Sequence, residues 1–211
     1  MRQTVNKPND EEIKQIAKKN FKKWNDALQT KDSQEVAKCY LSQGELFGTV
    51  SGKIRQGREA IAEYFEHFLE SDPSGEILES DIEVISEDAY LETGIYQFTL
   101  TKDGKKTVVK ARFTYVWQKD DDGEWRILHH HSGVKDEINE ALTDNEDLKL
   151  YELTEDVERG LDENLGGGYA LKTGFAVDSE NDRKIRFTYL LKDEKVVSQQ
   201  LSEAPKNNSD F

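Results

Sequence analysis

Cysteine occurs once in this 211-residue chain, at Cys39, and proline only three times. One cysteine excludes an intrachain disulfide framework and a cysteine-built zinc site. Beside Tyr40 in a helical pattern, Cys39 reads as a small buried apolar residue. Basic charge is also scarce: 29 Lys and Arg stand against 43 Asp and Glu, a formal net charge of -14. Nucleic acid and anionic membrane surfaces are therefore not expected as partners, since both attract basic patches. No apolar run approaches the roughly 18–20 residues of a membrane span. Met1 to Asp10 holds no apolar signal segment, so a cytoplasmic location is the expectation. Histidine is rare as well, four in all, yet three of the four are consecutive, at 129–131.

The apolar spacing orders the rest. Asn9 or Asp10 is placed to cap a first helix whose stripe is Ile13, Ile16, Ala17, Phe21, Trp24 and Leu28. Asp32 or Ser33 opens a short second helix. Leu46 to Val50 reads as a strand, and 56–69 as a third helix burying Ile61, Tyr64, Phe65, Phe68 and Leu69. Four strands follow, at about 77–86, 89–100, 107–118 and 124–132, with turns at Lys102-Asp-Gly104 and Asp120-Asp-Asp-Gly123. Helices before a meander predict an α+β domain with helices on one face of a curved antiparallel sheet.

Beyond about Val134 the composition shifts. Residues 136–211 carry 19 acidic and 9 basic residues, net -10, against 24 and 20, net -4, before them. Spacing within 136–165 predicts a helix through Ile138, Leu142, Leu153, Val157 and Leu161. Gly166-Gly-Gly168 breaks it, and 169–177 and 184–191 read as a hairpin. The expected organisation is a domain over 1–135, an acidic helix plus β-hairpin extension over 136–203, and a disordered tail over 204–211.

The hairpin ending at the histidines holds the most chemistry. Strict alternation puts His129 and His131 on the face of Trp125 and Ile127, and His130 on the other face with Arg126, Leu128 and Ser132. On the preceding strand, Arg112 and Thr114 share one face while Phe113, Tyr115 and Trp117 share the other. Arg112 is the basic residue in an otherwise apolar run, so it needs a carboxylate: a ligand's, one from a strand neighbour such as Glu92, or one across an interface. His129 and His131 have chelate spacing but lack an evident third ligand, so neither a metal nor another cofactor is expected.

Four stretches carry a family resemblance: Phe47-Gly-Thr-Val-Ser-Gly-Lys-Ile-Arg-Gln-Gly-Arg-Glu-Ala-Ile61, Tyr64-Phe-Glu-His-Phe68, Ala111-Arg-Phe-Thr-Tyr-Val-Trp117 and Gly123-Glu-Trp-Arg-Ile-Leu-His-His-His-Ser-Gly133. Over roughly residues 10–135 the chain resembles the NTF2-like superfamily. Within it, the match is to the association (hub) domain of calcium/calmodulin-dependent protein kinase II and its bacterial relatives, including the SgcJ/EcaC-type proteins. The resemblance implies a cone of three helices and a curved sheet around an apolar cavity, and sheet-to-sheet pairing into dimers that hub domains stack into rings. It departs from the hub pattern at Tyr115, where the hub carries an arginine two residues before the tryptophan. The chain has neither the Gly-rich loop nor the His-Arg-Asp loop of a kinase.

These readings converge on a non-catalytic module of the NTF2-like, SnoaL-like type. It is expected to associate with itself as a homodimer or higher ring and to bind a small polar or carboxylate ligand. Arg112, His129 and His131 are its expected polar contacts, among Trp24, Tyr64 and Tyr96. Two alternatives stay open. One is a small-molecule isomerase or dehydratase with a histidine base in the cone. The other is an acidic adaptor that binds a protein partner through 136–203.

Overall fold

The computed structural model of the chain describes residues 9–49, 51–134, 158–178 and 183–204. Helix α1, Asp10–Gln29, starts where predicted: Asn9 Oδ1 accepts the Glu12 N–H at 2.9 Å, and Asp10, Glu11 and Glu12 occupy the first turn. Its buried stripe includes Ile13, Ala17, Phe21, Trp24 and Leu28. Asp32 caps the short helix α2, Ser33–Ala37, by accepting from Gln34 N. Strands β1 (Tyr40–Phe47) and β2 (Ile54–Gln56) precede helix α3, Gly57–Phe68. The first strand thus begins six residues before the predicted Leu46. The meander follows as β3 (Ser74–Ser86), β4 (Ala89–Lys102), β5 (Lys105–Lys119) and β6 (Trp125–Val134).

The six strands form one sheet in the order β2-β1-β6-β5-β4-β3. All neighbours are antiparallel except β1 and β6, which run parallel. Bulges interrupt β3–β4 between Ile77 and Glu79 and β5–β6 between Val116 and Trp117, where a sheet bends and twists more strongly. The helices cover one face. Trp24, Phe65, Phe98 and Tyr115 meet there edge to face, with ring centroids of Phe65, Phe98 and Tyr115 about 6 Å from Trp24.

The described part of the C-terminal segment is a second antiparallel sheet of four strands: β7 (Glu158–Gly166), β8 (Tyr169–Asp178), β9 (Arg183–Lys192) and β10 (Lys195–Glu203), in the order β10-β9-β8-β7. Residues 158–165, which spacing assigned to a helix, are therefore a strand. Leu161 and Leu165 lie four apart, an interval that fits a helix face and a strand face equally. The remainder of the predicted helix, 136–157, and tail residues 205–211 lie outside the described residues. Gly167 and Gly168 turn β7 into β8 with positive φ, and Asp193-Glu194 turn β9 into β10 likewise.

This second sheet packs on the face of the first sheet that the helices leave open. Leu41, Ile85, Leu91, Val116 and Leu128 meet Leu161, Leu165, Tyr169, Leu171 and Leu190. Full burial of such side chains contributes about 1.5–3 kcal/mol each. Among the described residues no helix is long and apolar enough to cross a membrane.

Candidate functional site

The bulge decides which histidine faces the helices. Val116 pairs with His129 while the next residue, Trp117, pairs with Ile127, so Leu128 is the extra residue on β6. One extra residue inverts the alternation beyond it. Ile127 packs in the core under the helices and Leu128 in the layer between the sheets. Past the bulge, His129 and His131 face the second sheet, and His130 and Ser132 face the cone. This inverts the expected assignment of all three histidines.

Inside the cone is a cavity of about 120 Å³. Trp24, Tyr64, Phe65, Phe68, Tyr96 and Phe98 wall it, with His130, Ser132 and Thr49 as its polar members. The Tyr64 ring closely approaches the chain at Gly48: a Cβ there would stand 2.2 Å from it. His130 Nδ1 is 2.9 Å from the Tyr40 hydroxyl, and Nε2 is 3.2 Å from the Tyr96 hydroxyl. Tyr96 donates its proton to Ser132 Oγ at 2.5 Å, and Ser132 Oγ is bonded in turn to Thr49 Oγ1. A hydroxyl has one proton to give, so Tyr96 accepts from His130 Nε2–H, and Nδ1 accepts from Tyr40. The chain Tyr40, His130, Tyr96, Ser132, Thr49 is thus fully paired and ends at the half-buried Thr49. Burial holds His130 neutral, well below the usual imidazole range, with the neighbouring His129 acting the same way. Burial likewise pushes Tyr40, Tyr64 and Tyr96 upward, so all stay protonated.

Three of the six expected contacts, Trp24, Tyr64 and Tyr96, meet in this cavity. Arg112, His129 and His131 do not: all three lie on the opposite face of the sheet. His129 Nε2 and His131 Nδ1 are both 2.8 Å from Thr188 Oγ1, and His131 Nε2 is 2.7 Å from Ser202 Oγ. Arg186 donates from Nε to Ser202 Oγ at 2.9 Å and from an Nη to the Gly48 carbonyl at 2.6 Å. Glu45 accepts from Thr173 Oγ1 at 2.8 Å and from the Leu161 N–H at 3.1 Å, and its Oε1 is 3.2 Å from His129 Nδ1. Gly160 admits this carboxylate, since a Cβ there would stand 2.5 Å from Glu45 Oε2. Glu45, His129 and His131 are each 0% exposed, which makes the cluster a seam between sheets. Burial, then the Arg186 charge, lowers the His131 pKa well below its usual value. Among the described residues no three His, Cys, Asp or Glu side chains converge as a metal site.

Arg112 is half-buried beside a separate cleft of about 400 Å³ between β3–β5 and β10. Glu92, offered from sequence as its partner, points to the helix side of the sheet, into a groove beside α1. Sequence reasoning missed His130 and Ser132. The signal available was the adjacent pair Ile127-Leu128, which a strand flanked by two layers can bury on opposite faces.

Residues 12–135 match the model of the calcium/calmodulin dependent protein kinase II association domain family. A Xanthomonas campestris structure named for that same domain is 41% identical, with a TM-score of 0.58 over 62% of this chain and 93% of that chain. An NTF2-like protein with a cystatin-like fold from Novosphingobium aromaticivorans is 12% identical, with a TM-score of 0.50 over 59% of this chain and 82% of that one. A second structure from that organism, named for scytalone dehydratase, is also 12% identical, with a TM-score of 0.52 over 59% and 85%. The two distant likenesses establish the fold alone. Comparison with curated proteins returns no match.

Proposed function

The chain belongs to the calcium/calmodulin dependent protein kinase II association domain family, and from that premise we propose that it is a non-catalytic module whose cone holds a small uncharged ligand. Membership fits a ligand-binding or oligomerisation module. The observation that carries the ligand reading is the neutral, fully paired chain Tyr40–His130–Tyr96–Ser132–Thr49 at one end of an aromatic cavity. Such a wall offers apolar contact to a ring and one hydroxyl contact to a polar substituent. About 120 Å³ is well below the roughly 300–1,000 Å³ of a drug-sized pocket, so the ligand is a single small ring or less. Trp24, Tyr64 and Tyr96 remain its proposed contacts, with His130 and Ser132 as the polar groups.

The alternative of an isomerase or dehydratase needs a competent base. A histidine whose pKa is driven far down is a weak one, which favours binding over proton transfer. Phenol and benzene, titrated into the full chain and followed by tryptophan emission, test the ligand reading. Phenol should bind saturably and more tightly than benzene, and Tyr96→Phe or Ser132→Ala should erase its advantage. Equal affinity for the two rings in the wild type would remove the polar end from the function.

We propose self-association as the second part of the function, on family grounds. The second sheet occupies the open face of the first, so assembly of the intact chain would use other surfaces. The adaptor alternative would leave for a partner only what the second sheet does not already bury against the cone.

A further inference from the structure

The polar seam between the two sheets is one chain of contacts with a charged residue at each end. Arg186 on β9 donates from Nε to Ser202 Oγ at 2.9 Å, and Ser202 Oγ is 2.7 Å from His131 Nε2. Thr188 Oγ1 stands 2.8 Å from both His131 Nδ1 and His129 Nε2. Glu45 Oε1 lies 3.2 Å from His129 Nδ1, too bent for a regular hydrogen bond but in electrostatic contact. A hydroxyl has one proton to give. Ser202 Oγ accepts from Arg186, so its own proton goes to His131 Nε2. His131 then carries its proton on Nδ1 and donates to Thr188, and Thr188 donates to His129 Nε2. His129 is left with its proton on Nδ1, facing Glu45. The opposite direction would leave the Ser202 proton without an acceptor among the described residues. It would also set two acceptors, His129 Nδ1 and the Glu45 carboxylate, against each other.

This chain has no place for another proton. Protonating His131 at Nε2 would turn a donor against Ser202 Oγ, which already receives one from Arg186, and would put an imidazolium beside the guanidinium. Burial and then the Arg186 charge hold His131 neutral in the closed seam, with His129 and His130 acting the same way. Glu45, on β1, meets His129 rather than His131, and already accepts from Thr173 on β8 and the Leu161 N–H on β7. Phe47 packs edge-on against both histidines. Once the sheets part, His131 regains the ordinary imidazole titration near 6.5.

We propose that the relay is an acid-released latch: as pH falls through about 6.5, His131 takes up a proton in an opened form whose second sheet has lifted from a cone that stays folded. The second sheet is the part that leaves, because both hydroxyls that hold His131, those of Thr188 and Ser202, stand on it. The cone keeps its own core beneath the helices. Release bares Leu91, Val116 and Leu128, so pH sets the exposure of that apolar face. The latch is independent of the ligand reading of the cone.

Hydrogen exchange of the full chain, followed by mass spectrometry at pH 7 and pH 5.5 with the intrinsic pH dependence divided out, tests it. Amides of β8, β9 and β10 should lose about tenfold of their protection at pH 5.5, the factor for one histidine that titrates near 6.5 in the opened form alone. They should then exchange faster than those of β4 and β5. His131→Asn should remove most of that factor. Nitrogen NMR of the imidazoles at pH 7 should show the Nδ1–H tautomer at His129 and His131. Three results on the wild type each overturn the proposal: one common exchange rate for both sheets at pH 5.5, second-sheet protection that does not change with pH, or an Nε2–H tautomer at His131.

Discussion

Glu92 and His131 are both buried, and burial drives their charge states in ways that oppose each other across the pH scale. Glu92 is lifted from 4.5 to about 7 by burial. The native chain then holds a proton that the unfolded chain releases above about 4.5, so stability falls as pH rises toward 7 and the penalty is complete above it. It is on the order of 2–3 kcal/mol at pH 8. Glu92→Gln should raise the thermal midpoint by several degrees at pH 8 and by little at pH 4.5, as read by calorimetry. His131 and His130 have the opposite sign. Their native pKa values lie below the usual 6.5, so the unfolded chain binds protons first and stability is lost as pH falls below about 6.5. Urea midpoints should drop between pH 7 and pH 5, and His131→Asn should flatten that slope. A slope unchanged in the variant would remove His131 from the acid response.

The seam between the sheets is where one residue serves several elements. Thr188 on β9 bonds both His129 and His131 on β6. Thr188→Val keeps the shape and strands two buried nitrogens, and should cost about 2–4 kcal/mol by urea unfolding. On β1–α3 the comparable point is Gly48. Gly48→Ala should destabilise by about 1–3 kcal/mol through the Tyr64 ring, and the same change in a Tyr64→Ala background should cost markedly less. The elements themselves were largely legible. Alternation placed Arg112 and Thr114 opposite Phe113, Tyr115 and Trp117, because β5 runs without interruption across that stretch. It failed on β6 because the bulge at Leu128 carries no glycine, and because Ile127 and Leu128 are both apolar, so the pattern hides which one is extra. Trp24, Tyr64 and Tyr96 line the cone cavity as the pattern expects, because they are aromatic residues on regular elements. Arg112, His129 and His131 were assigned to the cone because no one-dimensional pattern reveals that a second sheet covers the opposite face.

For the whole molecule, that second sheet replaces solvent, or a neighbouring copy, over Leu91, Val116 and Leu128. Leu171 is 0% exposed at the centre of this contact. Leu171→Asp should loosen the sheet and bare a large apolar face, which drives association. Light scattering should then give a larger mass than the wild type under the same conditions, and an unchanged mass would mean that the face does not pair. The order of the strands along the chain also sets a schedule for biosynthesis. The first sheet is complete once β6 has emerged, but its cover is encoded in roughly the next 70 residues, about 4–14 s of translation at 5–20 residues per second. During that interval on the ribosome, a cone already folded would carry an uncapped hydrophobic face, with His129 and His131 lacking Thr188 and Glu45 lacking Thr173. Slow decoding past Val134 would therefore lengthen the period in which this face is bare, and truncation there would leave it bare for good.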